Sequence, residues 1–219
     1  ANVSHELKTP LQSIIGSAEL LETGLAKPED RPRFLSRIHQ EAERLVTLIN
    51  DIIRLSQLDE GGQLPAEPVD LQDLALETVR SLTEPAAGRN VTLTAVGTTA
   101  PMTGVRRLLA ETVYNLCENA VKYNVPGGSV TMETGETAQD VTLTVRDTGI
   151  GIPAAEQSRV FERFYRVDKS HSRAIGGTGL GLSIVKHAVA YHHGAIHLES
   201  EPGKGTVITV TLPKERPAD

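Results

Sequence analysis

Two apolar stripes with helical spacing occupy the first sixty residues and constrain the fold more than any other feature. Apolar side chains recur every three or four positions from Val3 to Leu25, and a second stripe runs from Phe34 to Leu55. The segment between them, residues 24–32, has the Gly, Pro and Asp content of a turn. A hairpin cannot enclose a core alone, so we expect residues 1–60 to form a homodimer that builds a four-helix bundle.

The periodicity stops at residues 61–68, whose glycines and prolines predict a linker and a domain boundary. Beyond them, helical spacing alternates with segments rich in Val, Thr and Ile, which are typical of strands. We therefore predict an α+β domain at 69–214, with helices on one face of a mixed sheet, and a tail at 215–219. The predicted helices are 71–82, 105–123 and 180–192, and the predicted strands are 91–95, 129–134, 141–146, 195–199 and 206–212.

Composition excludes several classes of protein. The net charge is −6 and the 22 basic residues are scattered, so we expect no nucleic-acid partner. Cys117 is the only cysteine, which excludes an intrachain disulfide and a cysteine-rich zinc site and fits a reducing compartment. No apolar run approaches the ~20 residues that span a bilayer. The chain opens on a motif without a helix start signal, so we expect it to be part of a longer protein.

Two glycine-rich motifs lie about thirty positions apart. Residues 147–152 follow a predicted strand, and residues 176–182 open a predicted helix. Glycines let backbone amides approach phosphate oxygens, and a helix start adds free N–H groups. Asp147, at a strand end, can accept a hydrogen bond from an exocyclic amine and so distinguish adenine from guanine. Either motif alone also fits an ordinary glycine-rich turn.

A third motif places polar groups on one helix face. Asn115, Asn119 and Lys122 are spaced four and three residues apart, so two amides and an ammonium lie together. Amide oxygens suit Mg²⁺, and an ammonium suits triphosphate oxygens. A solvated helix face is the alternative that this spacing leaves open.

These motifs together resemble those of the sensor histidine kinases of two-component signalling. Residues 4–10 resemble the H box of that family, 115–123 the N box, 147–152 the G1 box, 161–166 the F box and 177–182 the G2 box. All five occur in the family's order and span nearly the whole chain. The resemblance implies a histidine phosphotransfer hairpin followed by an ATP-binding sandwich of the Bergerat fold.

The resemblance also implies a role for each matching residue. It assigns Asp147 to the adenine amine, Asn119 to Mg²⁺, Lys122 and Tyr123 to the flank of the nucleotide, and Arg166 to the γ-phosphate. It identifies residues 167–176 as the variable ATP lid, although a plain surface loop fits the same sequence. The other implied nucleotide contacts are Asn115, Gly149, Gly151, Ile152, Tyr165, Gly177, Thr178, Gly179, Leu180, Gly181 and Leu182.

His5 is the expected phosphoryl acceptor. At ~100° per residue it falls nearly opposite the apolar seam, so we expect it to be exposed. A neutral imidazole can attack phosphorus in line, and Glu6 is the candidate general base beside it. An idle surface histidine fits the geometry equally well, and the H-box resemblance favours function. The resemblance further implies that Thr9 supports phosphatase activity. Pro10 should bend the helix.

The expected function is ATP-dependent autophosphorylation on His5 and phosphotransfer to an aspartate in the receiver domain of a response regulator. An ATP hydrolase or ATP-driven clamp is an alternative; its relatives carry a glutamate where Asn115 stands, and an amide cannot take a proton from water. A scaffold that only binds nucleotide is a third, although no nucleotide motif is broken. Membrane attachment would come only through absent N-terminal regions, making this the cytoplasmic portion of a membrane-anchored receptor.

Overall fold

The computed structural model describes residues 2–59, 64–167 and 177–215. Its first unit is a helical hairpin of α1 (Asn2–Glu22) and α2 (Arg31–Asp59), joined through a 3-10 turn at Pro28–Asp30. The two helices pack along each other, and Arg37 Nε of α2 donates a hydrogen bond to Ser13 Oγ of α1 at 3.0 Å. The predicted helical hairpin is confirmed.

The second unit is an α/β sandwich, as predicted. Its elements are β1 (Glu67–Asp70), α3 (Leu71–Gly88), β2 (Thr92–Gly97), β3 (Pro101–Gly104), α4 (Arg106–Lys122), β4 (Ser129–Glu136), β5 (Asp140–Asp147), α5 (Ala154–Gln157), α6 (Gly181–Tyr191), β6 (Ala195–Glu201) and β7 (Gly205–Pro213). The central sheet has five strands in the order β2-β4-β5-β7-β6, with β2 and β4 parallel and the other neighbours antiparallel.

Alternating side chains direct one face of the sheet into the core. In β5, Val141, Leu143 and Val145 are buried and lie opposite the buried apolar residues of β7, while the intervening threonines are half-buried. This period of two is what a strand with one covered face requires. Helices α3, α4 and α6 supply the other side of the same core, so the sheet and helices form two layers.

Polar side chains fix where two of these helices begin. Asp70 caps α3: its Oδ1 accepts from the backbone N–H groups of Gln72 and Ala100, each at 2.9 Å. Before α4, the backbone N–H of Val105 donates to Nε2 of the buried His192 at 3.0 Å, which ties the start of α4 to the end of α6. These contacts hold α4 and α6 in fixed positions beside the sheet.

Three short elements were not predicted. Strands β1 and β3 pair antiparallel in a separate two-stranded sheet, and α5 is a single turn. Glu67 and Pro68, which the sequence analysis assigns to the linker, are therefore in a strand. Four residues are too few for a periodic signal, and Pro68 and Pro101 weaken the strand pattern further. The predicted lid residues 168–176, residue 60 of the predicted hairpin, linker residues 61–63 and tail residues 216–219 lie outside the described residues.

The apolar stripe of α2 is divided between two environments. Leu48 and Leu55 are buried against Leu180 and Ile184 at the start of α6, so the ATP-binding unit covers them rather than the partner hairpin that we expected. Other apolar positions of the hairpin remain exposed: Leu11, Ile15, Leu35, Val46, Ile49 and Ile53. Within the described ranges, no helix has the length and apolar character needed to cross a bilayer.

Candidate nucleotide site

A cavity of about 1150 Å³ lies between α2, α4 and the loops that carry the glycine-rich motifs. Four of the five predicted motifs contribute to its wall, although they are far apart in the sequence. Gly149 and Leu180 are not among the lining residues, and Leu180 is instead fully buried beneath them. The predicted site residues that line the cavity are Asn115, Asn119, Lys122, Tyr123, Asp147, Gly151, Ile152, Tyr165, Arg166, Gly177, Thr178, Gly179, Gly181 and Leu182.

Asp147 ends β5 at the cavity with its carboxylate held in one orientation. Its Oδ1 accepts hydrogen bonds from the backbone N–H of Gly149 at 2.8 Å and of Thr206 at 3.2 Å. Burial raises the pKa of Asp147, and the two hydrogen bonds act in the opposite direction. With Oδ1 committed to the backbone, Oδ2 can accept a hydrogen bond from a ligand amine.

Glycines allow the loops to approach Asp147 and α4 closely. Gly205 has a φ of +97°, and a Cβ there would collide with the Asp147 carbonyl oxygen. A Cβ on Gly149 would collide with the carbonyl oxygen of Tyr123, to which the neighbouring Ile150 N–H donates at 3.1 Å. Only residues without a Cβ fit these positions, so the glycines of the first motif dock its loop on the end of α4.

The polar face of α4 meets the second glycine motif. A Cβ on Gly181 would lie 3.1 Å from Asn115 Oδ1 and 3.6 Å from Asn119 Nδ2, and a Cβ on Gly177 would lie 2.9 Å from Lys122 Nζ. Both glycines therefore leave space that a side chain would fill beside the two amides and the ammonium. This cradle fits the phosphates of a nucleotide, whose oxygens accept hydrogen bonds from backbone amides and cations.

Arg166 and Lys122 place positive charge in the cavity wall. Arg166 Nη1 donates to the carbonyl oxygen of Gly177 at 2.9 Å, and its side chain also hydrogen-bonds Tyr123. Burial lowers the pKa of Arg166 and of Lys122. The positive charges of Arg166, Arg89 and Arg44 lower the pKa of Lys122 further. Glu118 opposes that shift. Partly buried cations of this kind are suited to an anionic ligand.

The described residues contain no group of three or more His, Cys, Asp or Glu side chains that could hold a metal ion. A carboxylate cage is therefore absent from this part of the chain. The amide oxygens of Asn115 and Asn119 are hard ligands that fit Mg²⁺, which binds few protein groups when it also binds phosphate oxygens. The donor set thus fits a magnesium ion that enters with a nucleotide.

His5 lies on α1 and is exposed, as the helical phase predicts. Thr9, one turn later, donates from Oγ1 to the backbone carbonyl of His5 at 3.2 Å. Glu6 is half-buried, and its charge acts on Arg166. None of these three appears among the described residues that line the cavity. The structure therefore brings the H box next to the cavity wall without placing His5 inside it.

Sequence reasoning missed the part of the wall that comes from the hairpin. Arg44 and Asp51 of α2 both line the cavity, and Thr178 Oγ1 donates to Asp51 Oδ2 at 2.8 Å. Burial raises the pKa of Asp51, while the Thr178 hydrogen bond and the charge of Arg54 lower it. A signal was present, because Asp51 falls three positions after Leu48 and four before Leu55, where an apolar stripe has no reason to carry a charge.

Comparisons with known proteins agree with this arrangement. Residues 1–61 match the family described as the His kinase A (phospho-acceptor) domain. Residues 104–216 match the family described as histidine kinase-, DNA gyrase B-, and HSP90-like ATPase. The two matches fall in this order on the hairpin and on the sandwich.

The chain belongs to the sensor histidine kinases. Among curated histidine kinases it is 40% identical over 219 residues to the sensor-like histidine kinase SenX3 of Mycolicibacterium smegmatis, covering 98% of this chain and 56% of that protein. The chain thus spans about half the length of that relative. Among solved histidine kinases, AdeS of Acinetobacter baumannii has the same fold, with a TM-score of 0.79 at 21% identity over 96% of this chain and 98% of that one.

A second solved histidine kinase is similar in fold across both units. ThkA, in a crystal structure titled as a complex with the response regulator protein TrrA, has a TM-score of 0.77 at 22% identity. The match covers 98% of this chain and 60% of that one. The hairpin and the sandwich of this histidine kinase therefore occur together in solved relatives.

Proposed function

We propose that this chain transfers the γ-phosphoryl group of ATP to His5 and then to an aspartate of a response regulator. The observation that carries the proposal is the convergence of Asp147, Asn119, Lys122 and Arg166 on one cavity beside a hairpin with an exposed His5. Transfer forms an N–P bond at the imidazole and breaks the bond from the γ-phosphorus to its bridging oxygen, releasing ADP.

The chain's own residues divide the work. Asp147 selects adenine through Oδ2, Asn119 with Asn115 would hold Mg²⁺, and Lys122 and Arg166 neutralise phosphate charge. Mg²⁺, when bound, withdraws charge from the phosphate oxygens. Glu6 accepts a hydrogen bond from the N–H of the second imidazole nitrogen, which leaves the first nitrogen unprotonated and nucleophilic, and it takes that proton as the N–P bond forms. His5 stands outside the cavity wall, so the ATP-binding unit must move on the hairpin, or act on the second chain, before transfer.

Asn115 favours a kinase over an ATP hydrolase. It lines the cavity on the same face of α4 as Asn119, and its Oδ1 faces Gly181. An amide cannot accept the proton that hydrolysis takes from water, so the site lacks a base at this position and the imidazole is the acceptor. Glu118 also lines the described part of the cavity, where its negative charge acts on Lys122 and partly offsets the lowering of the Lys122 pKa by burial.

Autophosphorylation is tested with γ-labelled ATP and a matched pair of histidine variants. We expect acid-labile label on the wild type and none on His5→Gln. The control is His39→Gln, because His39 is an exposed histidine on α2 whose Nε2 lies 3.2 Å from Glu43 Oε1. Label that persists in His5→Gln, or that disappears in His39→Gln, would refute the assignment of His5.

The adenine role of Asp147 has its own control on the same strand. Asp147→Asn removes the charge that accepts the amine, so we expect at least tenfold weaker ATP binding, from the loss of about 1.5–3 kcal/mol of a charge-assisted hydrogen bond. Asp140→Asn, at the other end of β5, should bind ATP as the wild type does. If the wild type, Asp147→Asn and Asp140→Asn bind ATP equally well in titration calorimetry, Asp147 does not contact adenine.

We further propose that the hairpins of two chains form a four-helix bundle. The exposed apolar residues of α1 and α2 form a surface that a second hairpin would bury. Ile49, which is 44% exposed, is a suitable position for Ile49→Glu, and this variant should elute as a monomer in size exclusion with light scattering. A wild-type protein that is monomeric at micromolar concentration would contradict the bundle.

We propose a response regulator as the acceptor because one solved structure of the relative ThkA contains it in complex with the response regulator protein TrrA.

We further propose that Thr9 supports dephosphorylation of that regulator. Thr9→Ala should therefore keep autophosphorylation and slow the loss of phosphate from the regulator, and unchanged loss would contradict the role. We also propose that the whole protein is attached to a membrane through a sensing region, a proposal supported by its similarity to proteins named sensor-like histidine kinase and sensor protein kinase.

A further inference from the structure

The contact between α2 and the ATP-binding unit is a built interface. Leu48 and Leu55 of α2 are buried with Leu180, which precedes α6, and with Ile184 of α6. Polar groups on either side add the hydrogen bond from Thr178 to Asp51 and an ion pair at 3.3 Å between Arg54 Nε and Glu111 Oε1. The interface holds one face of α2 against the mouth of the nucleotide cavity.

This interface carries two further cations, Arg44 and Arg54, to the cavity that Lys122 and Arg166 also line. Arg54 is paired with Glu111, whereas Arg44 lies one helical turn before Leu48 and acts on the other two cations. Its charge is one of the causes that lower the pKa of Lys122 and of Arg166, which places its guanidinium within electrostatic range of both. These three cations repel one another, and a bound anion relieves that repulsion.

Arg44 is able to bind such an anion. Its side chain is 24% exposed, and its ion pair with Glu41 spans 3.8 Å between Nη1 and Oε2. A charge-assisted hydrogen bond is shorter, at about 2.7–2.9 Å, so the pair with Glu41 is weak and its guanidinium can turn to a stronger acceptor. A planar guanidinium with five donors matches phosphate oxygens better than any other side chain.

We propose that Arg44 of the hairpin binds the phosphate groups of the nucleotide. Helix α2 then supplies one side of the phosphate subsite, and the two units of the chain together form the site. This inference rests on the proposed function, because it takes the cavity as the ATP site. It adds to that function a binding residue from the unit that carries the phosphoryl acceptor.

The test compares three ligands by titration calorimetry with the full chain and excess Mg²⁺: adenosine, ADP and the β,γ-imido analogue of ATP. Arg44→Gln should weaken the imido analogue by about five- to tenfold, as for one charge-assisted bond in a partly exposed site, and adenosine by less than about twofold. The affinity of the variant should also depend less on salt, since one charge pair is lost.

The control is Arg37→Gln, two turns earlier on α2. Arg37 is exposed, donates to Ser13 and is not among the described lining residues, so its loss should leave all three affinities unchanged. Equal binding of the imido analogue by Arg44→Gln and wild type would overturn the inference. Equal loss of adenosine and the imido analogue would also overturn it, because Arg44 would then act through the fold.

The outcomes also separate this inference from the proposed function. If the wild type binds none of the three ligands, the cavity is not an ATP site and the proposed function itself fails. If the wild type binds them and Arg44→Gln binds them equally well, the proposed function stands and only the role of Arg44 fails. Selective loss of the phosphate-bearing ligands in Arg44→Gln supports both.

Discussion

Replacing Asp147 by Ala and by Asn should separate its structural role from its binding role. In the structure, Oδ1 of Asp147 satisfies the backbone N–H groups of Gly149 and Thr206. Alanine leaves both donors without this acceptor in a partly buried place, at about 1–2 kcal/mol each, so we expect a loss of about 2–4 kcal/mol in the free energy of unfolding. Asparagine keeps an oxygen in the same position and should lie within about 1 kcal/mol of the wild type.

The assay is urea denaturation followed by far-UV circular dichroism, because the chain has no tryptophan for fluorescence. A raised pKa in the folded state means that the protonated carboxyl stabilises the fold below the unfolded value of 3.8, and this contribution is lost as pH rises through the folded pKa. The wild type should therefore gain stability relative to Asp147→Asn as pH falls toward 3.8. Equal stability of the Ala and Asn variants would refute the hydrogen-bond argument.

Three further predictions test the core and the surface. Burial raises the pKa of Cys117 to about 12, so a thiolate-specific reagent should label the native protein far more slowly than the urea-unfolded one, and similar rates would contradict the burial. Gly205→Ala should cost about 2–4 kcal/mol in urea denaturation, whereas Gly203→Ala, with φ +76° and open space, should cost about 1 kcal/mol. The ion pair of Arg106 with Glu77 is about half exposed on each side, so Arg106→Gln should change stability by less than about 1 kcal/mol.

The sequence predicted the elements that have a long, regular pattern. The alternation in β5 and β7 and the helical stripe of α4 arise from burial on one face, so their positions follow from local spacing. Asp147, Asn119 and Lys122 each lie in a sequence motif, and the structure brings all three to one cavity; their contact with a ligand stays a prediction. These features need no knowledge of distant parts of the chain.

The contribution of the hairpin to the site was not predictable in the same way. Arg44 and Asp51 reach the cavity only because Leu48 and Leu55 pack on α6, a contact between residues more than one hundred positions apart in the sequence. Periodicity assigns Leu48 and Leu55 to a buried stripe and cannot say which surface buries them. The pairing of β1 with β3 was missed for the related reason that two four-residue strands form only through tertiary contact.

Thr178 lines the candidate nucleotide cavity and also contacts the hairpin, because its hydroxyl donates a hydrogen bond to Asp51 of α2. A residue shared in this way links two equilibria, the binding of the ligand and the seating of one unit on the other. Suppose that a movement of α2 changes the free energy of nucleotide binding by some amount. Thermodynamic reciprocity then requires that nucleotide binding change the free energy of that α2 movement by the same amount. Under the proposed function, the occupancy of the site and the seating of α2 on the ATP-binding unit are therefore coupled in both directions.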